Sequence, residues 1–327
     1  MERKTYIDIA KGLAIMLVVV GHLVQNNLTG TTARFLFDFV YSFHMPLFMF
    51  LSGYVASLTV ERNLNEGRNF LAKKARTLLI PFISWGGVNM LVKHNVSLDC
   101  LRELILFPDN GLWFLPVLFC IQMTYWLVMF VVRKFYPRER SLVLETVGSV
   151  LAIGVIFIFN KHNGVCSNIY FSYNLYAMFF IGSLVAAHLE KWLMHDVALL
   201  ASVVTFSLLV PYFHMWGNNP SALIMTISIS ASVIMLHLSK AMESHVQKEN
   251  RLVQFGMCSM TIYAAHFYLV QVAHGIKLDV TSLSFLPTFA ILMLVAFVIC
   301  HVCVAFGQIV GNNKILNMLL LGAKYRN

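Results

Sequence analysis

The sequence predicts an all-α protein: a bundle of about ten membrane-spanning helices forming one domain over residues 1–327. Three observations predict it. The first is composition. Of 327 residues, 58% are hydrophobic and 12% charged, and the mean hydropathy is +0.72. A soluble chain of this length could bury a large core, yet it would still need a charged skin. The second is run length. The apolar residues gather into stretches of about 20, enough to cross a bilayer as a helix. The third is charge placement. Of the 24 Lys and Arg residues, all but six fall in alternate connections. The opposite connections hold only Arg34, Lys93, Arg102, Lys161 and Lys277, and Lys11 lies inside the first run. That alternation is the cytoplasmic bias of membrane proteins, and it places both termini inside.

Taken in order, the runs are bounded by these charges. The first, 6–25, follows Arg3 and Lys4. It lacks a small-residue cleavage site and carries Asp8 and Lys11 near its start, so it is expected to stay in place rather than be removed as a signal peptide. The second, 35–58, starts after Arg34. The third, 77–93, is short and follows Arg62, Arg68, Lys73, Lys74 and Arg76. The fourth, 112–132, stops at Arg133 and Lys134. The fifth, 143–159, lies between the pair Arg138 and Arg140 and the outer Lys161. The sixth, 172–189, ends before Lys191. The seventh is 197–213, and the eighth, 221–239, ends at Lys240. The ninth, 253–274, is polar for a span and follows Lys248 and Arg251. The tenth, 286–310, precedes Lys314, Lys324 and Arg326.

Composition also excludes classes. The net charge of +9 sits in short clusters between apolar runs, so it reports topology and not a nucleic-acid surface. The cysteines, Cys166 among them, form no disulfide framework. Cys300 and Cys303 make a CxxC, but inside an unbroken apolar run, where helix packing explains them. Neither HExxH nor a P-loop is present, and the scattered His188, His214, His237 and His301 are read as structural or interfacial. No metal and no permanently bound cofactor is expected.

Ionisable groups inside a membrane are costly and mark function. The first run has Asp8, Lys11 and His22. At about 100° per residue, Lys11 and His22 lie within about 20° of each other, with Asp8 about 60° from Lys11 on the His22 side. All three share one face. Along the axis Lys11 and His22 are about 16 Å apart, Lys11 at the cytoplasmic end and His22 at the external one. His266, in the ninth run, reaches about the depth of His22, so two histidines from different spans can meet in the outer half.

Five segments, in order, resemble the motifs of the acyltransferase family 3 membrane proteins: YIDIAKGLAIMLVVVGH (6–22), FHMPLFMFLSGY (43–54), KKARTLLIP (73–81), LWFLPVLF (112–119) and FGMCSMTIYAAH (255–266). The Lys before the Gly in the first resembles the fucose 4-O-acetylase-like branch. The resemblance implies transfer of an acyl group, usually acetyl, from cytoplasmic acetyl-CoA to a sugar hydroxyl of a glycan or lipid-linked acceptor, in a bacterial inner membrane. It places the family's first-span histidine on His22. The family's first-span Arg falls on Lys11, which keeps the charge and loses the planar fork.

Such a transfer needs a base near neutral pH, which suits His22 or His266. Ser52, Tyr263, Lys11 or backbone N–H groups are candidates for the developing oxyanion. Asp8 could pair with Lys11. Lys73, Lys74 and Arg76 read either as topological charges or as partners for CoA phosphates. His44, Ser52 and Trp113 read either as packing or belt residues or as acceptor contacts. The competing class is a multi-helix glycan exporter. Exporters often carry inverted repeats, and this sequence has no such symmetry.

Overall fold

A computed structural model of the chain describes residues 4–92, 97–108, 112–136, 140–162, 168–245, 250–272 and 276–322. Arg3, Lys93, Arg138, Cys166, Lys248, Lys324 and Arg326 lie outside these residues. The fold is all-α. In order the helices are α1 (Thr5–Asn27), α2 (Thr31–Tyr41), α3 (His44–Leu58), α4 (Val60–Glu66), α5 (Arg68–Lys74), α6 (Ile80–Val92), α7 (Leu98–Leu106), α8 (Phe114–Phe135) and α9 (Leu142–His162). There follow α10 (Tyr173–Leu184), α11 (Glu190–Leu193), α12 (Asp196–Leu209), α13 (Ser221–Glu243), α14 (Arg251–Met257), α15 (Ser259–Val272), α16 (Phe285–Gly311) and α17 (Lys314–Leu321).

Over the described residues, all ten predicted runs are largely helical. Eight meet the length and apolarity needed to cross a membrane: 5–27, 31–58, 68–92, 114–135, 142–161, 169–193, 221–243 and 285–311. The two others are shorter. The seventh is α12 with a 3₁₀ turn to Tyr212, and the ninth is broken at Cys258 into α14 and α15. Exposed faces are apolar, as lipid allows: Leu151 of α9, Leu200 of α12 and Leu294 of α16 are each about two-thirds exposed. Of the short helices that no run predicted, α4, α5 and α7 fill connections and α17 follows the last run.

The described chain forms two compact units, Met1–Leu51 with Glu190–Gln308, and Ser52–Leu189 with Ile309–Asn327. The first is built around α1, the most enclosed of the eight long helices. Its first turn has no side-chain cap of its own, and orphan N–H groups there need partners. The Glu243 carboxylate at the end of α13 supplies one, accepting from the Tyr6 N–H at 3.0 Å, and an anion suits a helix N-terminus. Glu243 is itself paired with Lys240 at 2.6 Å. Glu190 accepts from the Tyr6 hydroxyl and from Lys4, both at 2.5 Å. Residues predicted to share one membrane side therefore meet. At the other end Leu28 and Thr29 pair in parallel with Leu278 and Asp279. Gly30 follows with φ +99°, and a Cβ there would strike Thr281 and Asp279, so only glycine fits.

α14 runs against α1 with almost no side chain between them. A Cβ on Gly12 would lie 2.1 Å from the Leu252 carbonyl oxygen, and one on Gly256 would lie 1.9 Å from that of Asp8. Small residues allow this approach. Since Gly256 meets Asp8 and His266 meets His22, the broken α14–α15 pair travels the depth of α1 beside it, as the ninth predicted span should.

In the second unit, α3 approaches α10 closely at Gly53, where a Cβ would lie 1.8 Å from the Phe179 carbonyl oxygen. A π-helical turn, Ala75–Leu79, joins α5 to α6. Pro81 cannot donate to the Thr77 carbonyl, and the wider turn accommodates that loss. Trp85 donates its indole N–H to the Leu320 carbonyl at 3.0 Å, fastening α17 to α6.

Candidate active site

The first unit brings together two histidines that lie 244 positions apart in sequence. The His22 ring of α1 and the His266 ring of α15 have centroids 5.1 Å apart, tilted by 43°. Phe267 meets His22 edge-on at 5.9 Å, and the Tyr263 ring lies 6.1 Å from His266.

Backbone chemistry fixes the tautomer of His266. Its Nδ1 lies 2.9 Å from the carbonyl oxygen of Ile262, one turn earlier on α15. A carbonyl only accepts, so Nδ1 carries the proton and Nε2 carries the lone pair. That Nε2 is buried and meets no hydrogen-bond partner, and the same holds for Nδ1 of His22. The two nitrogens lie on adjacent rings and are open to a hydrogen bond from a ligand hydroxyl. A neutral imidazole with a free, aimed lone pair is the form a general base takes.

His44 repeats the arrangement at the start of α3. Its Nδ1 lies 2.9 Å from the carbonyl oxygen of Val40, near the end of α2, a carbonyl that the Phe43 N–H also approaches, at 3.4 Å. The Tyr41 ring meets His44 at 4.6 Å, and its hydroxyl donates to Gln25 at 3.0 Å. His44 is also within electrostatic range of His22. Unit one thus assembles His22, His44, Tyr263 and His266 from four separate sequence positions.

Asp8 and Lys11 lie on α1 toward its other end, Asp8 buried and Lys11 half-buried. The remaining predicted residues belong to the second unit. Ser52 is half-buried next to Gly53, and Lys73 is exposed. Lys74 lies over the Phe70 ring at 5.6 Å and lines a small cavity with Gln122 and Tyr125. Arg76 is in the π turn, with Nε buried and unpartnered. Trp113 precedes α8, its ring against Phe114 at 6.1 Å.

Sequence reasoning missed one charged cluster in this unit. Glu145, at the start of α9, is 2% exposed and takes a two-pronged bond from Arg140, at 2.7 and 2.6 Å. Arg140 also donates to the Ser57 hydroxyl at 2.8 Å, and His188 lies 3.2 Å from the same carboxylate. Burial is the largest single influence on Arg140 and works against its charge. The Glu145 carboxylate leads the opposing influences, which together hold the guanidinium above its usual range. The available signal was a lone acid inside an apolar run. Among the described residues, no group of three or more His, Cys, Asp or Glu side chains could hold a metal.

Comparison with known proteins identifies the family. A family model described as an acyltransferase domain matches residues 4–305. The nodulation protein NolL of Mesorhizobium japonicum is 40% identical over 89 residues, 26% of this chain and 23% of that protein. NolL of Sinorhizobium fredii is 41% identical over 88 residues, 26% of this chain and 24% of that protein. The matched segment thus spans about a quarter of each relative's length. No solved structure matches the chain.

Proposed function

From a chain that belongs to acyltransferase family 3, we propose transfer of an acyl group, acetyl first, from acyl-CoA to a hydroxyl of a cell-surface or exported glycan. The partial similarity to the NolL proteins supports a sugar acceptor. One observation carries the reading: the adjoining rings of His22 and His266, each with a buried nitrogen that has no partner.

The sugar oxygen bonds to the thioester carbonyl carbon while its proton passes to the free nitrogen of His22. His266 beside it is the alternative base. The carbonyl oxygen becomes an oxyanion, for which Tyr263, its ring 6.1 Å from that of His266, is a candidate donor. Collapse breaks the carbon–sulfur bond, and the departing CoA sulfur takes back the proton. Lys73, Lys74 and Arg76 are the proposed holders of the CoA phosphates. The nucleotide end then stays at the membrane surface, and only the uncharged arm enters the bilayer, where charge is costly.

The test is mass spectrometry of cell glycans with and without the chain, and with His22→Ala at matched membrane levels. We expect one acyl mass to vanish in both the deletion and the variant. Full acylation in His22→Ala moves the base to His266. Full acylation in the deletion removes the proposal. Loss of the glycan itself from the surface points to the exporter reading.

A further inference from the structure

We propose that a cleft at the far end of α1, lined by Gln25, Thr29, Arg34, Asp38 and Trp216, binds a sugar ring of the acceptor, with Trp216 as its platform. The inference rests on the acyltransferase reading and adds a site to it.

The cleft lies wholly in the first unit, between α1, α2 and the loop that enters α13, and has a volume of about 740 Å³. That is within the range of small-molecule sites. It begins one turn past His22. Gln25 forms part of its wall, and the same Gln25 accepts from the Tyr41 hydroxyl, whose ring rests on His44. Wall and histidine cluster are therefore joined through one tyrosine.

Trp216 is 83% exposed, yet it does not belong to a loose loop. Asp38 of α2 accepts from the Met215 N–H at 2.9 Å and lies 3.3 Å from Nδ1 of His214. Asn219 donates to the His214 carbonyl at 2.6 Å and accepts from its N–H at 3.2 Å. The Gly217 N–H adds a second bond to the same carbonyl, at 2.8 Å. Under this lacing the indole stacks on Phe37, centroids 6.2 Å apart and nearly parallel at 20°. Phe37 flanks the ring, and most of the indole surface is open. A large aromatic held rigid and left uncovered offers contact area at little entropic cost.

The chemistry around it selects the ligand. A pyranose has an apolar C–H face suited to an indole and a rim of hydroxyls suited to carboxylate, amide and guanidinium groups. Asp38, Gln25 and Arg34 supply one of each on the wall. An acyl chain would cut the exposed Gln25 and Arg34 off from water without bonding either, which is costly. An anionic headgroup would face Asp38.

The test uses the full-length protein in detergent. The probe is the set of oligosaccharides released from the surface glycan of cells lacking this chain, read by saturation-transfer NMR and equilibrium dialysis. We expect binding to wild type and a loss of roughly tenfold in affinity for Trp216→Ala. Trp216→Tyr should recover most of it, which a folding defect would not allow. Trp192→Ala, another exposed tryptophan, should bind as wild type. Equal binding by Trp216→Ala, or none by wild type, overturns the cleft and leaves Trp216 an anchor at the bilayer surface. Glycan mass spectra separate the two failures. An acyl difference that depends on the chain, with binding indifferent to Trp216, sinks the cleft alone. Binding that depends on Trp216, with no acyl difference, sinks the acyltransferase reading alone.

Discussion

The Arg140–Glu145 pair allows a stability prediction worked from geometry. Arg140→Met leaves a carboxylate that is 2% exposed without its two-pronged partner. Breaking a buried pair costs about 3–5 kcal/mol. Arg140 retains 22% exposure, so water reaches part of the site and the lower end, about 3 kcal/mol, applies. Glu145→Leu strands a guanidinium that still bonds Ser57, and about 2–3 kcal/mol follows. The double variant removes both charges and should cost only about 1 kcal/mol. The coupling energy is then at least about 3 kcal/mol. The assay is equilibrium unfolding in mixed detergent–SDS micelles for the four proteins of the cycle. Additive losses, with coupling under about 0.5 kcal/mol, would show that the charges are solvated and that the reasoning fails.

Neutralising Lys73, Lys74 and Arg76 together should raise the acyl-CoA concentration for half-saturation by about tenfold or more, and more at low salt; titration at two salt concentrations reads it, and unchanged affinity leaves the cluster a topological role. Gly53→Ala should destabilise by about 1–3 kcal/mol, because its methyl would enter the Phe179 carbonyl. Gly87→Ala, with nothing within 4 Å, should be neutral or gain up to about 1 kcal/mol of helix propensity; thermal unfolding compares the two. Reporter fusions at residues 65, 137 and 245 should read cytoplasmic, and those at 100 and 163 external; an external signal at 137 would break the ten-span topology.

Much of the site was legible because its signals are local. His22 falls on a helix face with Asp8 and Lys11, and simple rise arithmetic brings His266 to its depth. The 5.1 Å separation of the rings meets that expectation. Span length was less legible. The polar ninth run hides a break at Cys258, and no periodicity rule distinguishes a broken span from a weak one. The charged cluster was not legible at all. Arg140 reads as one topological cation among several, and Glu145 acquires meaning only when the fold brings Ser57 and His188 to it. The cleft beneath Trp216 is hidden for the same reason: it joins residues 25–38 to 214–217.

The Ile262 carbonyl that fixes the His266 ring belongs to the peptide chain and not to a side chain. Every amino acid at position 262 would present the same oxygen while the helix holds. The tautomer of His266, the alternative base of the proposed reaction, is therefore insulated from sequence drift around it. Neighbouring side chains can change without disturbing which nitrogen holds the proton. An aspartate in that role would have tied the base to one partner residue, and would have added a buried charge. Here the surroundings of His266 can change while its Nε2 lone pair stays in place, and only loss of the helix itself would free the ring.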